Sequence, residues 1–193
     1  METLAKLFGS ETKVKMMRLF LFNPEKVFSI KTIASRVKSL PAKVRKETST
    51  LLKMKLIKRK FIRKKPKGPG FIMNKDFVYL FPLKNFLINI GPLQPKDITK
   101  KIGKLGQVKL VIISGIFIQN PDSRVDILIV GDGIKKGRLE RAIRLLESEI
   151  GKELKYAYFS TSDFKYRLSM FDKLIRDILD YPHKKILNRL TVL

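Results

Sequence analysis

Residues 29–53 read SIKTIASRVKSLPAKVRKETSTLLK, and this stretch decides the fold. Ser29 has the side-chain oxygen an N-cap needs. Ile30, Ile33, Ala34 and Val37 then recur at i, i+3, i+4, i+7, the apolar stripe of a short helix. Lys38, Ser39 and Leu40 form a turn. Pro41 suits the first position of the next helix, since its φ is already helical and its missing N–H has no partner there. That helix, expected over about 41–54, turns Val44, Thr48, Leu51 and Leu52 inward. Lys43, Arg45, Lys46, Ser49 and Lys53 are left to point outward.

Working outward, Ser10 can cap an earlier helix, with Glu11 in its first turn and Val14, Met17 and Leu21 as its stripe. Asn23 and Pro24 stop it, and Val27 and Phe28 make a short extended piece. On the other side, Lys58 to Arg63 and Phe71 to Met73 predict two short strands, joined by the basic tip KKPKGPG over 64–70. Helix, short strand, helix, turn, helix and basic hairpin is the order of a winged helix-turn-helix. The strongly apolar stretch from Phe77 to Ile90 follows, and Gly91, Pro92 and Pro95 mark a boundary before a short basic helix over 96–104.

The remainder alternates. Strands are expected over 108–113, 125–130 and 154–159. Between the last two lies a helix over 136–150 with Leu139, Ile143, Leu146 and Ile150 on one face, closed by Gly151. Ser160 or Thr161 caps the next helix. Phe171, Leu174, Ile175, Ile178 and Leu179 make the apolar face of a last one, ended by Tyr181 and Pro182. The fold class is therefore α/β overall, of the α+β kind. The expected domains are residues 1–75, an apolar connecting or dimerisation segment over 76–106, and an α/β domain over 107–193.

Composition narrows the chemistry. The chain of 193 residues has no cysteine, which removes disulfides, thiolate metal sites and cysteine nucleophiles. His183 is the single histidine and has no paired ligand or nucleophile nearby in the sequence, so it reads as a surface or capping residue. No apolar run reaches the ~18 residues of a membrane span, and no signal-peptide pattern opens the chain. A cytoplasmic location is the expectation. The charge is +25, and residues 1–70 hold 20 Lys/Arg against 4 Asp/Glu. Between Lys38 and Lys67 there are 13 basic residues and one acid, Glu47. A surface evolved for solubility alone mixes both signs, so this concentration points to phosphate neutralisation.

A helix that enters the major groove reads bases with side chains near its N-terminus. Arg45 is the expected guanine reader, because its fork matches O6 and N7. Lys43, Lys46 and Lys53 are expected phosphate contacts, with Ser49 and Thr50 one turn along. Arg63, Lys64, Lys65 and Lys67 would lie along the backbone or in the minor groove. Residues from about Leu7 to Asn74 resemble the winged helix-turn-helix of ArsR- and MarR-like regulators. The stretches that carry the likeness are LFGS at 7–10, FSIKTIA at 28–34 and LLKMKLI at 51–57. In place of that family's usual glycine before the leucine stands Lys55. The resemblance implies double-stranded DNA as partner. Operators are usually read by two-fold dimers, so a homodimer is expected. Phe77 to Ile90, too apolar for a solvated linker, either packs between two domains or joins two copies and is the expected interface element.

Residues from about Val108 to Leu190 look like a minimal nucleotidyltransferase domain. In that family a Gly-Ser turn cradles phosphates, and two carboxylates two residues apart on a strand hold Mg²⁺. Here the turn reads Ser114, Gly115, Ile116, and Asp126 matches the second carboxylate while Arg124 stands at the first. A guanidinium beside one carboxylate repels Mg²⁺. The implied domain is thus catalytically degenerate, with no cofactor, no metal and no enzyme activity, and Asp126 is expected to pair with Arg124. Gly115 either lines a vestigial pocket, leaving a small-molecule or nucleotide effector open, or is a tight strand exit. The sequence expectation is a transcriptional regulator with no membrane partner. Its alternatives are an active Mg-dependent nucleotidyltransferase using Asp122 and Asp126, and an RNA- or ribosome-binding protein.

Overall fold

The computed structural model describes residues 2–62, 67–89, 93–120 and 122–190. It is a mixed α/β structure of two compact units, one formed by Met1–Pro92 with Leu145–Lys152, the other by Leu93–Arg144 with Glu153–Leu193. In chain order the first helices are α1 (Glu2–Phe8), α2 (Glu11–Phe22), α3 (Ile30–Val37) and α4 (Pro41–Lys53). Strands β1 (Ile57–Ile62) and β2 (Gly68–Met73) follow, then α5 (Leu80–Lys84), which runs into a π-helical turn over Asn85–Asn89. The rest comprises α6 (Pro95–Ile102), β3 (Gln107–Ile113), β4 (Ile127–Asp132), α7 (Lys136–Ile150), β5 (Tyr156–Phe159), α8 (Thr161–Ser169), α9 (Lys173–Leu179) and β6 (Lys184–Asn188). Among the described residues, no helix is long and apolar enough to cross a membrane.

In the first unit α2 is the central helix. Ser10 caps it, its Oγ accepting from the Lys13 N–H at 3.3 Å. Every residue from Val14 to Leu21 is buried, so the helix is enclosed on all sides rather than along the single stripe its sequence suggests. Phe20 meets Phe28 edge-on at 5.7 Å inside this core, with Ile33, Val37, Val44 and Leu51 around them. Truncating Phe20 to Ala would cost about 3–5 kcal/mol. The enclosure takes in Arg18, whose Nε donates to Leu87 O at 3.1 Å and whose Nη1 donates to Glu149 O at 3.0 Å. Burial lowers its pKa to about 10, with the Glu149 charge opposing that shift.

The turn between α3 and α4 works as the sequence suggests. Ser29 Oγ accepts from the Thr32 N–H at 3.1 Å, Lys38 closes α3 in the left-handed conformation at φ 50°, and Pro41 opens α4. Val44, Thr48 and Leu51 are buried along α4, with Leu52 at the margin. After α4, Lys55 takes φ 58° while the Leu56 N–H reaches back to Leu51 O at 3.0 Å. A left-handed residue at this point explains why glycine suits it.

Strands β1 and β2 pair antiparallel from Ile57 opposite Met73 to Ile62 opposite Gly68. Phe28 exchanges two backbone hydrogen bonds with Phe71, both 2.9 Å, which ties the extended piece before α3 to the hairpin. The apolar segment after the hairpin is divided. Leu87 and Ile88 enter the core, whereas Val78, Tyr79 and Phe81 face solvent.

The second unit has a four-stranded sheet in the order β5-β4-β3-β6. β4 runs antiparallel to β3 and parallel to β5, and α7 makes the crossover between the parallel pair. Leu110, Ile112, Leu128 and Val130 pack with Phe164, Ile175 and Ile178 of α8 and α9. Ser160 is the residue that caps α8, accepting from the Asp163 N–H at 3.1 Å. One strand goes beyond the sequence expectations and one expectation needs correction. Residues 184–188 form β6 on the edge beside β3, although their alternation is too weak to announce a strand. Phe171 does not join the apolar face of α9. It precedes the helix with φ 54° and is 75% exposed, because Asp172 is the N-cap, accepting from the Leu174 and Ile175 N–H groups.

Candidate nucleic-acid interface

The exposed side of α4 is built by what α4 buries. With Val44, Thr48 and Leu51 inward, 3.6-residue periodicity centres Ala42, Lys46, Ser49 and Lys53 on the opposite side. Lys43 and Thr50 flank that centre on one edge and Arg45 on the other. Thr50 turns its hydroxyl back to Lys46 O at 3.3 Å. Glu47 lies on the buried side, 3.6 Å from Lys13 Nζ, which also donates to Phe8 O at 3.0 Å. The one acid of the basic stretch is therefore turned away, and the outward face of α4 carries cations, hydroxyls and Ala42.

Arg45, on its edge, lines a groove of about 550 Å³ that also takes in Lys31, Pro41, Lys67 and Phe71. The groove brings the start of α3, the start of α4 and the tip end of the hairpin ladder together. Of the residues expected from sequence, Arg45 and Lys67 meet there, whereas Lys43 lies on the far edge of α4. Arg63, Lys64 and Lys65 fall outside the described residues. Lys31 was not singled out from the sequence; its signal was a cation two places after the α3 cap, exposed and off the apolar stripe. Phe61, exposed on β1 between cations, was also missed, since alternation alone did not show which way its ring faces. Lys58 and Asp76 form an open ion pair at 3.8 Å, of the kind that contributes little.

A second candidate lies at the end of β3 in the other unit. Gly115 has φ +55°, and a Cβ there would collide with the Asp126 carboxylate. Asp126 is buried and both its oxygens are engaged by backbone. Oδ1 accepts from the Ile116 N–H at 2.9 Å and Oδ2 from the Lys155 N–H at 2.8 Å. The expected pairing with Arg124 is not formed. Arg124 Nε instead lies 2.9 Å from Asp177 Oδ2, because Asp126 points inward and Arg124 outward across the strand entry. Asp122 is exposed in the loop, where its N–H donates to Asn120 Oδ1 at 3.2 Å. Among the described residues no cluster of three or more metal-ligating side chains is present. Gly115 makes a tight strand exit and Asp126 braces backbone, while Arg124 meets α9 and borders a cleft of about 200 Å³ with Asn120, Asp122 and Tyr181.

Asp132 ends β4 in similar fashion. It accepts from the Thr161 N–H at 2.9 Å and the Thr161 hydroxyl at 2.7 Å, with Lys109 Nζ at 3.0 Å. These bonds, the Thr161 hydroxyl foremost, lower its pKa to about 2. His183 has Nδ1 2.9 Å from Tyr181 O in an exposed turn. No protein-family model, curated protein or solved structure matches the chain.

Proposed function

We propose that the protein binds double-stranded DNA as a transcriptional regulator, with α3, α4 and the β1–β2 hairpin acting as a winged helix-turn-helix. The inward rotation of Glu47 carries the reading: it leaves a cationic helix face beside a basic hairpin, the charge pattern a duplex backbone recruits. In this reading α4 enters the major groove. Arg45 reads a base from the groove it shares with Lys31 and Lys67, and Lys43, Lys46 and Lys53 contact phosphate. The exposed Val78, Tyr79 and Phe81 join two copies, matching a two-fold operator. The second unit resembles a nucleotidyltransferase without acting as one, since the carboxylate of Asp126 is spent on backbone N–H groups. It serves the dimer or an effector.

Salt-titrated binding to duplexes of varied sequence is the test. Lys46→Ala is expected to weaken all duplexes alike and flatten the salt slope by about one unit, whereas Arg45→Ala removes about 1–3 kcal/mol of discrimination at one base pair. Unchanged slope and discrimination in both variants, or a preference for structured RNA at matched salt, would overturn the reading.

A further inference from the structure

The β1–β2 hairpin carries more than charge. Arg59 and Phe61 share one face of β1 by alternation, and their register partners Phe71 and Pro69 share the same face of β2. Phe61 is 61% exposed and Pro69 is exposed beside it, whereas Phe71 is partly buried by its tie to Phe28. A concavity of about 430 Å³ on the hairpin is bordered by Arg59, Lys60, Phe61, Pro69 and Phe71. The sequence from Leu56 to Met73 contains no acid, and Lys58, Arg59, Lys60 and Lys67 are all exposed. An apolar ring-and-proline pair framed by cations fits a partner whose flat apolar surfaces lie between rows of anions. A base stack between phosphates has both.

We infer that Phe61, backed by Pro69, is a wedge that enters a base step of duplex DNA from the minor groove and bends it. The inference rests on the duplex-binding reading above and adds deformation to it. Wedges of phenylalanine or proline on β-ribbons partly unstack a step and kink the duplex away from the minor groove, while flanking cations hold the phosphates on either side. Pyrimidine–purine steps yield most easily. The hairpin would therefore select sites by how readily they bend, at positions where no side chain reads a base edge.

The chain has no tryptophan, so Phe61→Trp places a single indole at the wedge. Full-length wild type, Phe61→Ala, Phe61→Leu and Phe61→Trp are compared on end-labelled duplexes that differ in one central step, with energy transfer reporting the end-to-end distance. Wild type is expected to shorten that distance and to favour a TA step over a GC step. Phe61→Ala is expected to lose about tenfold in affinity, the scale of one lost ring–base stack, with an unchanged salt slope and a straightened duplex. Phe61→Leu, still an apolar wedge, keeps a bend. The indole of Phe61→Trp is quenched on duplex addition. Tight binding of straight duplex by wild type and Phe61→Ala alike overturns the wedge and leaves the regulator reading standing. Quenching and affinity loss confined to single strands also overturn it, by placing the ring on unpaired bases. Failure of wild type to bind any duplex overturns both.

Discussion

The two candidate sites treat their charges in opposite ways. On α4 the lone acid is folded inward to Lys13, and Lys43, Arg45, Lys46 and Lys53 keep their charges at the surface. Around Gly115 the charges are absorbed: Asp126 by two backbone N–H groups, Arg124 by Asp177. The outward side of α4 thus keeps its cations exposed, whereas the Gly115–Asp126 corner holds its charges in internal hydrogen bonds and an ion pair.

Mutations at the two sites are expected to behave differently. Asp126→Ala should have the largest effect, a loss of about 2 kcal/mol in urea unfolding, because two backbone N–H groups lose a charged acceptor. A neutral or stabilising result would mean that Asp126 is strained for function, not used as a brace. Lys46→Ala should leave unfolding within about 0.5 kcal/mol of wild type, as at other exposed sites, so that its effect on DNA is a binding effect. Lys55→Gly should stabilise by about 1 kcal/mol, since the left-handed conformation costs a lysine more than a glycine, and would appear as a raised Tm with DNA affinity little changed. The effect of Asp132→Asn depends on pH. The folded carboxyl titrates near 2, below the ordinary value of 3.8, so its contribution is complete above about pH 4 and fades as pH falls toward 2. The stability gap between variant and wild type should be present at pH 7 and close on acidification; a gap that persists at the lowest pH would assign Asp132 no such role.

The α3–α4 hairpin of helices was legible because each boundary has its own chemical mark: Ser29 to start, Lys38 to turn, Pro41 to restart. The outward face of α4 followed from spacing alone. What escaped the sequence was determined by distant partners. Arg124 and Asp126 are two places apart in the chain, and proximity suggested a pair. The pairing was decided instead by Asp177 from α9 and by Lys155 just before β5, which no local pattern announces. Edge strand β6 was hidden for the same reason, since its ladder with β3 joins residues far apart in sequence. Phe171 looked like core by composition, but the cap at Asp172 fixed the start of α9 just beyond it.

The first compact unit includes Leu145–Lys152, which supply the Glu149 carbonyl to Arg18 and the Gly151 carbonyl to Asn23 Nδ2 at 2.9 Å. Gly151 also lies so near the Arg18–Leu19 backbone that a Cβ would not fit. During translation the N-terminal segment therefore waits for the ribosome to deliver these residues before its innermost guanidinium is fully clothed. A fragment ending at Pro92 would have to fold with that clasp missing, so severing the chain at its most obvious seam yields a weaker piece than the one nature assembles.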